Sequence, residues 1–178
     1  QSSKKTYAMK VISKRQCIRL NSKKAIEKIK NEIIIQKSVN HPNVVKSKYS
    51  FADESYFYFI LEYCPGNNVR EYCKKSTNGR LTEQETRRIL KDVLNGLLYI
   101  HSSEIVHYDI KLENFLIGSN GDVKIADFGL STFRKNEKGK KFSLCGTPNY
   151  LCPEILFKES REQSYKVDIW ALGVSAFI

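Results

Sequence analysis

Cysteine is sparse and badly spaced for cross-linking. The five residues Cys17, Cys64, Cys73, Cys145 and Cys152 form an odd set with no Cys-x-x-Cys pair. Neither a disulfide framework nor a thiolate zinc site follows from that spacing, and a reducing, intracellular setting fits it. Long apolar runs are missing as well. No eighteen consecutive residues are apolar, which excludes a membrane-spanning helix. The opening Gln1-Ser-Ser-Lys-Lys-Thr6 has no apolar stretch and does not read as a secretory signal. There is no internal repeat and no low-complexity tract. Carboxylates are nearly absent from the first fifty residues. That stretch carries thirteen Lys or Arg against Glu27 and Glu32 alone and accounts for the whole net charge of +11, whereas residues 51–178 carry seventeen of each sign. Such a block can serve as a nucleic-acid or membrane patch. Its lysines are interleaved with Ile26, Ile29, Ile33 and Val39, however, which favours one solvated helix face.

What is present suits a packed domain. The chain has 178 residues, the size of one ordinary domain, and 41% of them are apolar. Tyr7–Ile12 reads as a strand, rich in β-branched and aromatic residues. Between 22 and 37, Ile26, Ile29, Ile33 and Ile34 recur at helical spacing, and His41-Pro-Asn43 ends that helix. Two strands follow, Val44–Phe51 and Tyr56–Glu62, and then the loop Cys64-Pro-Gly-Asn-Asn68. Thr82 with Glu85 three residues on is a capping-box signature for a helix reaching about Ser102. Short strands are predicted near Val106, at Phe115–Ile117 and at Val123–Ala126. Residues 131–147, rich in Lys, Gly and Ser, read as a long mobile loop. Val167–Ile178 reads as an apolar helix of the buried type. A strand-dominated first part and a helix-rich second part suggest two lobes of an α+β protein, split near Cys64–Asn68.

Chemistry concentrates in three places. His107-Tyr-Asp-Ile-Lys-Leu-Glu-Asn114 brings an Asp, a Lys two residues on and an Asn five residues on into one short loop. Phosphoryl transfer needs a carboxylate to orient the attacking hydroxyl, a cation on the moving phosphate and an oxygen ligand for Mg²⁺, and these residue types can supply them. Lys124-Ile-Ala-Asp-Phe-Gly129 follows at the end of a strand and offers Asp127 as a second metal ligand. Lys10 lies on the first strand, with Glu32 on the following helix where it could face it. Taken singly, each feature has a bland reading: a polar surface turn, one of many Asp–Gly turns, one lysine among thirteen basic residues. Their order and spacing together match the protein-kinase signature set.

The sequence resembles the eukaryotic protein kinase family from end to end. Ala-Met-Lys10 corresponds to its lysine strand, Glu32 to its helix glutamate and Leu61-Glu-Tyr-Cys64 to its hinge. Gly96-Leu-Leu-Tyr-Ile-His101 precedes the catalytic loop as it does in that family. Gly146-Thr-Pro-Asn-Tyr-Leu-Cys-Pro-Glu154 is similar to its activation-segment end, and Asp168-Ile-Trp-Ala-Leu-Gly173 to its buried central helix. The resemblance implies a two-lobed kinase fold, with residues 1–63 in the small lobe, 64–68 as hinge and 69–178 in the large lobe. It implies ATP and Mg²⁺ as cofactors and Ser or Thr of protein substrates as acceptors. Asp109 is the implied base, Lys111 the γ-phosphate contact, and Lys10, paired with Glu32, the α/β-phosphate contact. Asn114 and Asp127 are the implied Mg²⁺ ligands. Ala8 and Leu116 would sandwich the adenine, and backbone from Glu62 to Cys64 would bond its edge. Lys111 and Gly146-Thr147-Pro148 look like the serine/threonine branch, with Thr147 bonded to the catalytic loop. Leu144-Cys-Gly-Thr-Pro-Asn-Tyr150 and the hinge look most like the Polo-like kinases, and Ser143 resembles their phosphorylatable loop residue.

The pattern is broken in three ways. Tyr108 stands where the family has arginine, which would pair with a phosphorylated loop through charge-assisted bonds. Activation is therefore expected to depend less on phosphorylation of Ser143 than in relatives. No Gly-x-Gly-x-x-Gly loop is present, and the chain stops inside the last helix. Both ends therefore read as truncations of a longer domain, leaving apolar surface around Trp170–Ile178 uncovered. Two other classes stay open: a pseudokinase-like interaction module that moves no phosphate, and a nucleic-acid binder with only its charge to support it.

Overall fold

In the computed structural model, residues 5–15, 22–76, 79–134, 146–157 and 165–177 are described. Strand β1 (Tyr7–Ser13) alternates as an amphipathic strand should: Tyr7, Met9 and Val11 are exposed, while Ala8, Lys10 and Ile12 turn inward. It pairs antiparallel with β3 (Tyr56–Glu62), in register from Tyr7 opposite Glu62 to Ser13 opposite Tyr56. β2 (Ser47–Ala52) pairs with the other edge of β3, giving the order β1-β3-β2. The inner face of this sheet is covered by α1 (Ser22–Ser38), where Ile29, Phe57 and Phe59 cluster with Ile12, Ile26 and Ile33. Ile34, assigned from its spacing to the same helix face, is instead 58% exposed, and Ile35 is fully buried. Helix rotation explains this: 100° past Ile34, Ile35 turns into the core that also holds Val39 and Val44, whereas Ile34 stays on the exposed side. Lys28, Lys30 and Lys37 are exposed, so α1 does present a solvated basic face.

Residues 44–46 lie outside β2, although the sequence places the start of that strand at Val44. Val44 and Val45 are both buried, unlike the one-sided burial of β1. They are stitched sideways to a later strand instead. The Val45 N–H donates to the Ile125 carbonyl at 2.9 Å, the Ile125 N–H donates to the Asn43 carbonyl at 2.9 Å, and Asn43 Nδ2 donates to the Val123 carbonyl at 2.9 Å. This seam joins the sheet-rich part to the helix-rich part.

The second part is organised on α3 (Glu83–Ser102). Its capping box is formed: the Glu85 N–H donates to Thr82 Oγ1 at 3.2 Å, and the Thr82 N–H donates to Glu85 Oε2 at 2.9 Å. Ile89, Val93, Gly96, Leu97 and Ile100 make its buried stripe. Gly96 is required by close approach, because a Cβ there would lie 2.7 Å from the Asn43 carbonyl oxygen. Two short ladders sit on this helix, β4 (Ile105–Val106) with β7 (Thr132–Phe133) and β5 (Phe115–Ile117) with β6 (Val123–Ile125). β7 falls in the stretch read as a loop, and only its pairing with β4 makes it a strand. Residues 135–145 of that stretch, Ser143 and Cys145 among them, lie outside the described residues, as does Cys17. Two helices carry no clear sequence period: α2 (Val69–Lys75), capped by the Asn68 side chain and buried at Val69 alone, and the single turn α4 (Pro153–Leu156). α5 (Lys166–Phe177) was expected to be of the buried type. It buries Val167, Asp168, Ala171, Leu172 and Ser175, but leaves Ile169 and Trp170 half-exposed.

One continuous core runs from Ile35 and Val44 through Val93, Leu97, Phe115 and Phe128 to Leu172. The catalytic-type segments thread it, which is what fixes them. No helix among the described residues is long and apolar enough to cross a membrane.

Candidate active site

The three segments singled out by sequence converge. Lys10 Nζ lies 2.7 Å from Glu32 Oε1 and 2.7 Å from Asp127 Oδ1, so one ammonium bridges β1, α1 and the segment after β6. Burial works against the charge on Lys10, but the two carboxylates outweigh it and hold the ammonium above its ordinary value. Burial pushes the Glu32 carboxyl up, with Lys10 pulling against it. Asp127 goes the other way: burial is overcome by Lys10 and by the Gly129 N–H, and its carboxyl is held low. Asp127 adopts φ 61°, a left-handed conformation unusual for a non-glycine residue, and its side chain remains about half-exposed toward the cleft.

Asp109 is the centre of a second cluster. Thr147 Oγ1 donates to its Oδ1 at 2.7 Å, and Asn114 Nδ2 donates to its Oδ2 at 2.9 Å and to its carbonyl at 2.8 Å. Lys111 Nζ is 2.7 Å from Asp109 Oδ2 and donates to Thr147 Oγ1 at 2.9 Å. The Asp109 carboxylate is thus held at both oxygens, just ahead of a 3₁₀ turn (Leu112–Asn114) that carries Asn114 and continues directly into β5.

The backbone beneath is anchored by two buried groups. His107 is completely buried, and its Nδ1 accepts the Asp109 N–H at 3.2 Å while its Nε2 lies 3.1 Å from the Ala126 carbonyl. Those partners fit a single neutral tautomer protonated at Nε2, and burial lowers the imidazole's affinity for a second proton. Asp168, 1% exposed, accepts the His107 N–H and the Tyr108 N–H at 2.9 Å each and faces His101 Nε2 at 2.8 Å. Sequence reasoning placed Asp168 in a motif but gave it no work. The available signal was a lone acid inside an apolar helix, which must be satisfied if buried.

Tyr108 sits at φ 66° and is only 8% exposed. Its ring belongs to an apolar cluster with Val106, Cys152, Ile155 and Val167, against which Leu130, Leu151 and Tyr165 pack.

The residues read as the nucleotide seat are placed as follows. Ala8 shares the inward face of β1 with Lys10 and pairs with Leu61. Leu116 pairs with Lys124 on the β5–β6 ladder and bridges Asn68. The Glu62 N–H is spent on the Lys46 carbonyl at 2.8 Å, and its carboxylate on Lys124 Nζ at 3.1 Å and the Lys46 N–H at 3.2 Å. The Cys64 backbone makes no hydrogen bond among the described residues. Burial pushes the Cys64 thiol up to about 11, so it is protonated at neutral pH.

The donor set suits a hard cation bound partly through phosphate. Asn114 spends its amide nitrogen on Asp109, which leaves Oδ1 without a donor among the described residues, and Asp127 Oδ2 is likewise uncommitted. Two such oxygens, with no group of three His, Cys, Asp or Glu converging among the described residues, match Mg²⁺ better than a metal that needs an all-protein cage.

The sequence pattern of the protein kinase domain matches residues 1–178. Curated proteins similar to the chain include a probable cell cycle serine/threonine-protein kinase CDC5 homolog of Encephalitozoon cuniculi, 41% identical over 94% of this chain and 34% of that protein. Another is the cell cycle serine/threonine-protein kinase CDC5/MSD2 of Saccharomyces cerevisiae, 39% identical over 96% of this chain and 24% of its own length. The serine/threonine-protein kinase polo of Drosophila melanogaster is 41% identical over 94% of this chain and 28% of that protein. The chain therefore spans 24–34% of the length of these three relatives.

Proposed function

The chain belongs to the protein kinase domain family, and we propose that it is the catalytic part of a serine/threonine protein kinase of the Polo-like kind. The observation that carries this reading is the Asp109 carboxylate, held by Lys111, Asn114 and Thr147 and facing a cleft whose other wall is the Lys10–Glu32–Asp127 triad.

Asp109 orients the acceptor hydroxyl and takes its proton, its carboxylate fixed by Thr147 at Oδ1 and by Asn114 and Lys111 at Oδ2. Lys111 balances the charge of the moving phosphoryl group from the same side. Lys10, kept protonated by its two carboxylates, binds the α/β-phosphates of ATP, and Glu32 keeps it on station. Asn114 Oδ1 and the Asp127 carboxylate hold Mg²⁺, which supplies the positive charge that phosphate oxygens need as charge shifts among them. Ala8 and Leu116 flank the adenine, and the uncommitted Cys64 backbone, next to Glu62 at the end of β3, bonds its edge. In this scheme residues 1–63 form the small lobe, 64–68 the hinge and 69–178 the large lobe. The acceptor is a Ser or Thr hydroxyl of an intracellular protein.

No observation favours the interaction-module alternative, since Lys10, Glu32, Asp109, Lys111, Asn114 and Asp127 are all of the type the transfer needs. Incubating the intact protein with Mg²⁺, γ-labelled ATP and a generic Ser/Thr protein substrate tests the reading. Label transfer that disappears in Lys10→Met and Asp109→Asn supports it. ATP binding without any transfer in the wild type refutes it.

A further inference from the structure

The basic block of the first fifty residues finds no use in phosphate transfer beyond Lys10. Part of its charge collects in one place. Behind the β3 terminus lies a cavity of about 480 Å³, within the range of ligand and peptide pockets. Its rim carries Lys5, Lys46 and Lys48, and its walls are Tyr7, His41 and Tyr63. None of the three lysines has a carboxylate partner among the described residues. The fourth cation there, Lys124, is already satisfied by Glu62, Asp122 and the Pro42 carbonyl. Glu62, the one acid in the lining, is consumed by that pairing, so the groove keeps its three positive charges.

The exposure of Lys48 has a structural cause. The register between β2 and β3 slips between Ser47 and Tyr49, so Lys48 opposes no residue of β3. Regular alternation would turn Lys48 inward, opposite to exposed Tyr49. The bulge lets both face out, with the ammonium 5.6 Å from the Tyr49 ring. Tyr7 and Tyr63 are also substantially exposed. Three unpaired cations around aromatic walls call for a ligand that brings carboxylates and apolar groups together.

We propose that this groove is a docking site for an acidic, extended peptide segment of a protein partner, with carboxylates on Lys5, Lys46 and Lys48 and apolar side chains on Tyr7 and Tyr63. A duplex or single-stranded nucleic acid is disfavoured by the layout. A phosphate backbone rewards a stripe of cations along its path, whereas these lysines ring one concavity. The groove borders the Glu62–Cys64 segment but contains none of Lys10, Asp109, Lys111, Asn114 or Asp127, so the proposal stands whether or not the phosphate-transfer reading does.

The test is fluorescence anisotropy of a labelled peptide alternating Asp or Glu with Leu, titrated with the intact protein. The Lys46→Glu/Lys48→Glu variant is expected to weaken binding by about tenfold or more. Lys28→Glu/Lys30→Glu on α1 changes net charge equally and should leave the affinity within about twofold of wild type. Lys46→Gln/Lys48→Gln, a milder change, provides the same comparison if the reversal unfolds the protein, with the thermal midpoint as the check. Carbodiimide cross-links from peptide carboxylates should map to Lys5, Lys46 or Lys48. Equal weakening by the α1 pair would mean overall charge alone and would overturn the proposal. So would absence of binding, or tighter binding of an oligonucleotide of matched charge that the same substitutions abolish.

Discussion

Replacing Asp168 by alanine should be among the most damaging single changes outside the cleft itself. Its carboxylate accepts the N–H groups of His107 and Tyr108 at 2.9 Å each, and those two residues are 0% and 8% exposed. Alanine leaves both amides buried with no acceptor, and each orphaned group costs about 1–3 kcal/mol. The sum, about 2–6 kcal/mol, compares with a total stability of about 5–15 kcal/mol for an ordinary domain. With a urea slope of about 2 kcal/mol per M, the unfolding midpoint should fall by about 1–3 M at unchanged slope. Asp168→Asn keeps one acceptor oxygen and turns an NH₂ toward the other amide, so its loss should be near half. Activity should suffer beyond the unfolded fraction. The two amides fix the loop that carries Asp109, and a displacement of about 1 Å at a reacting group can cost about a hundredfold. Equilibrium urea unfolding followed by fluorescence, together with phosphotransfer at a temperature where the Asn variant remains folded, checks both parts. A midpoint shift under about 0.5 M for the alanine variant would refute the reasoning.

Thr147→Val should lower kcat by about tenfold to a hundredfold while leaving KM for ATP unchanged, because it frees one Asp109 oxygen and removes the Lys111 contact; Thr147→Ser should restore most of the rate. Gly96→Ala should destabilise by about 1–3 kcal/mol despite the gain of about 1 kcal/mol in helix propensity, since the new methyl would sit 2.7 Å from the Asn43 carbonyl oxygen; thermal or urea unfolding decides the sign. His107 makes stability fall on acidification. Burial sets its folded affinity for a proton below the ordinary value of 6.5, so the unfolded chain binds more protons as pH drops through that value. The slope is at most about 1.4 kcal/mol per pH unit, and in His107→Phe it should shrink when unfolding is measured between about pH 7.5 and 5.5.

Much of the fold was legible because local chemistry and tertiary demand agree in it. Tyr56–Glu62 appears as the predicted strand to the residue, and the Thr82/Glu85 box starts α3 where its letters say. The misses share a different physics. Val44 and Val45 look like strand residues, yet the Val44 N–H turns back to the His41 carbonyl and the Val45 N–H donates to Ile125 of β6, a partner eighty residues away whose position no local window contains. β7 exists only because β4 lies beside it, and α2 is too short and too polar to show a period. Within the candidate site, side-chain types at fixed spacing were readable: Lys10 does meet Glu32, and Asp109 does meet Asn114 and Thr147. The support beneath them was not, because Asp168 acts on backbone amides, which have no letter in the sequence.

Tyr108 brings the two levels together. From sequence alone, its replacement of an arginine is a lost charge, and the question becomes what a neutral hydroxyl can pair with. In the fold its ring is also packed. The φ of 66° at Tyr108 turns its ring under the segment from Leu151 to Ile155, into a cluster that Val106, Leu130 and Val167 complete. Directly after it comes Asp109, and Gly146 at φ 112° approaches the Tyr108 carbonyl so closely that a Cβ would lie 2.9 Å away. Catalytic loop and substrate-side segment therefore meet across an apolar contact. An arginine in that position would have to bury its guanidinium among Cys152, Ile155 and Val167, at a desolvation cost only a close anion could offset. Tyr108 instead brings an aromatic ring to that apolar cluster.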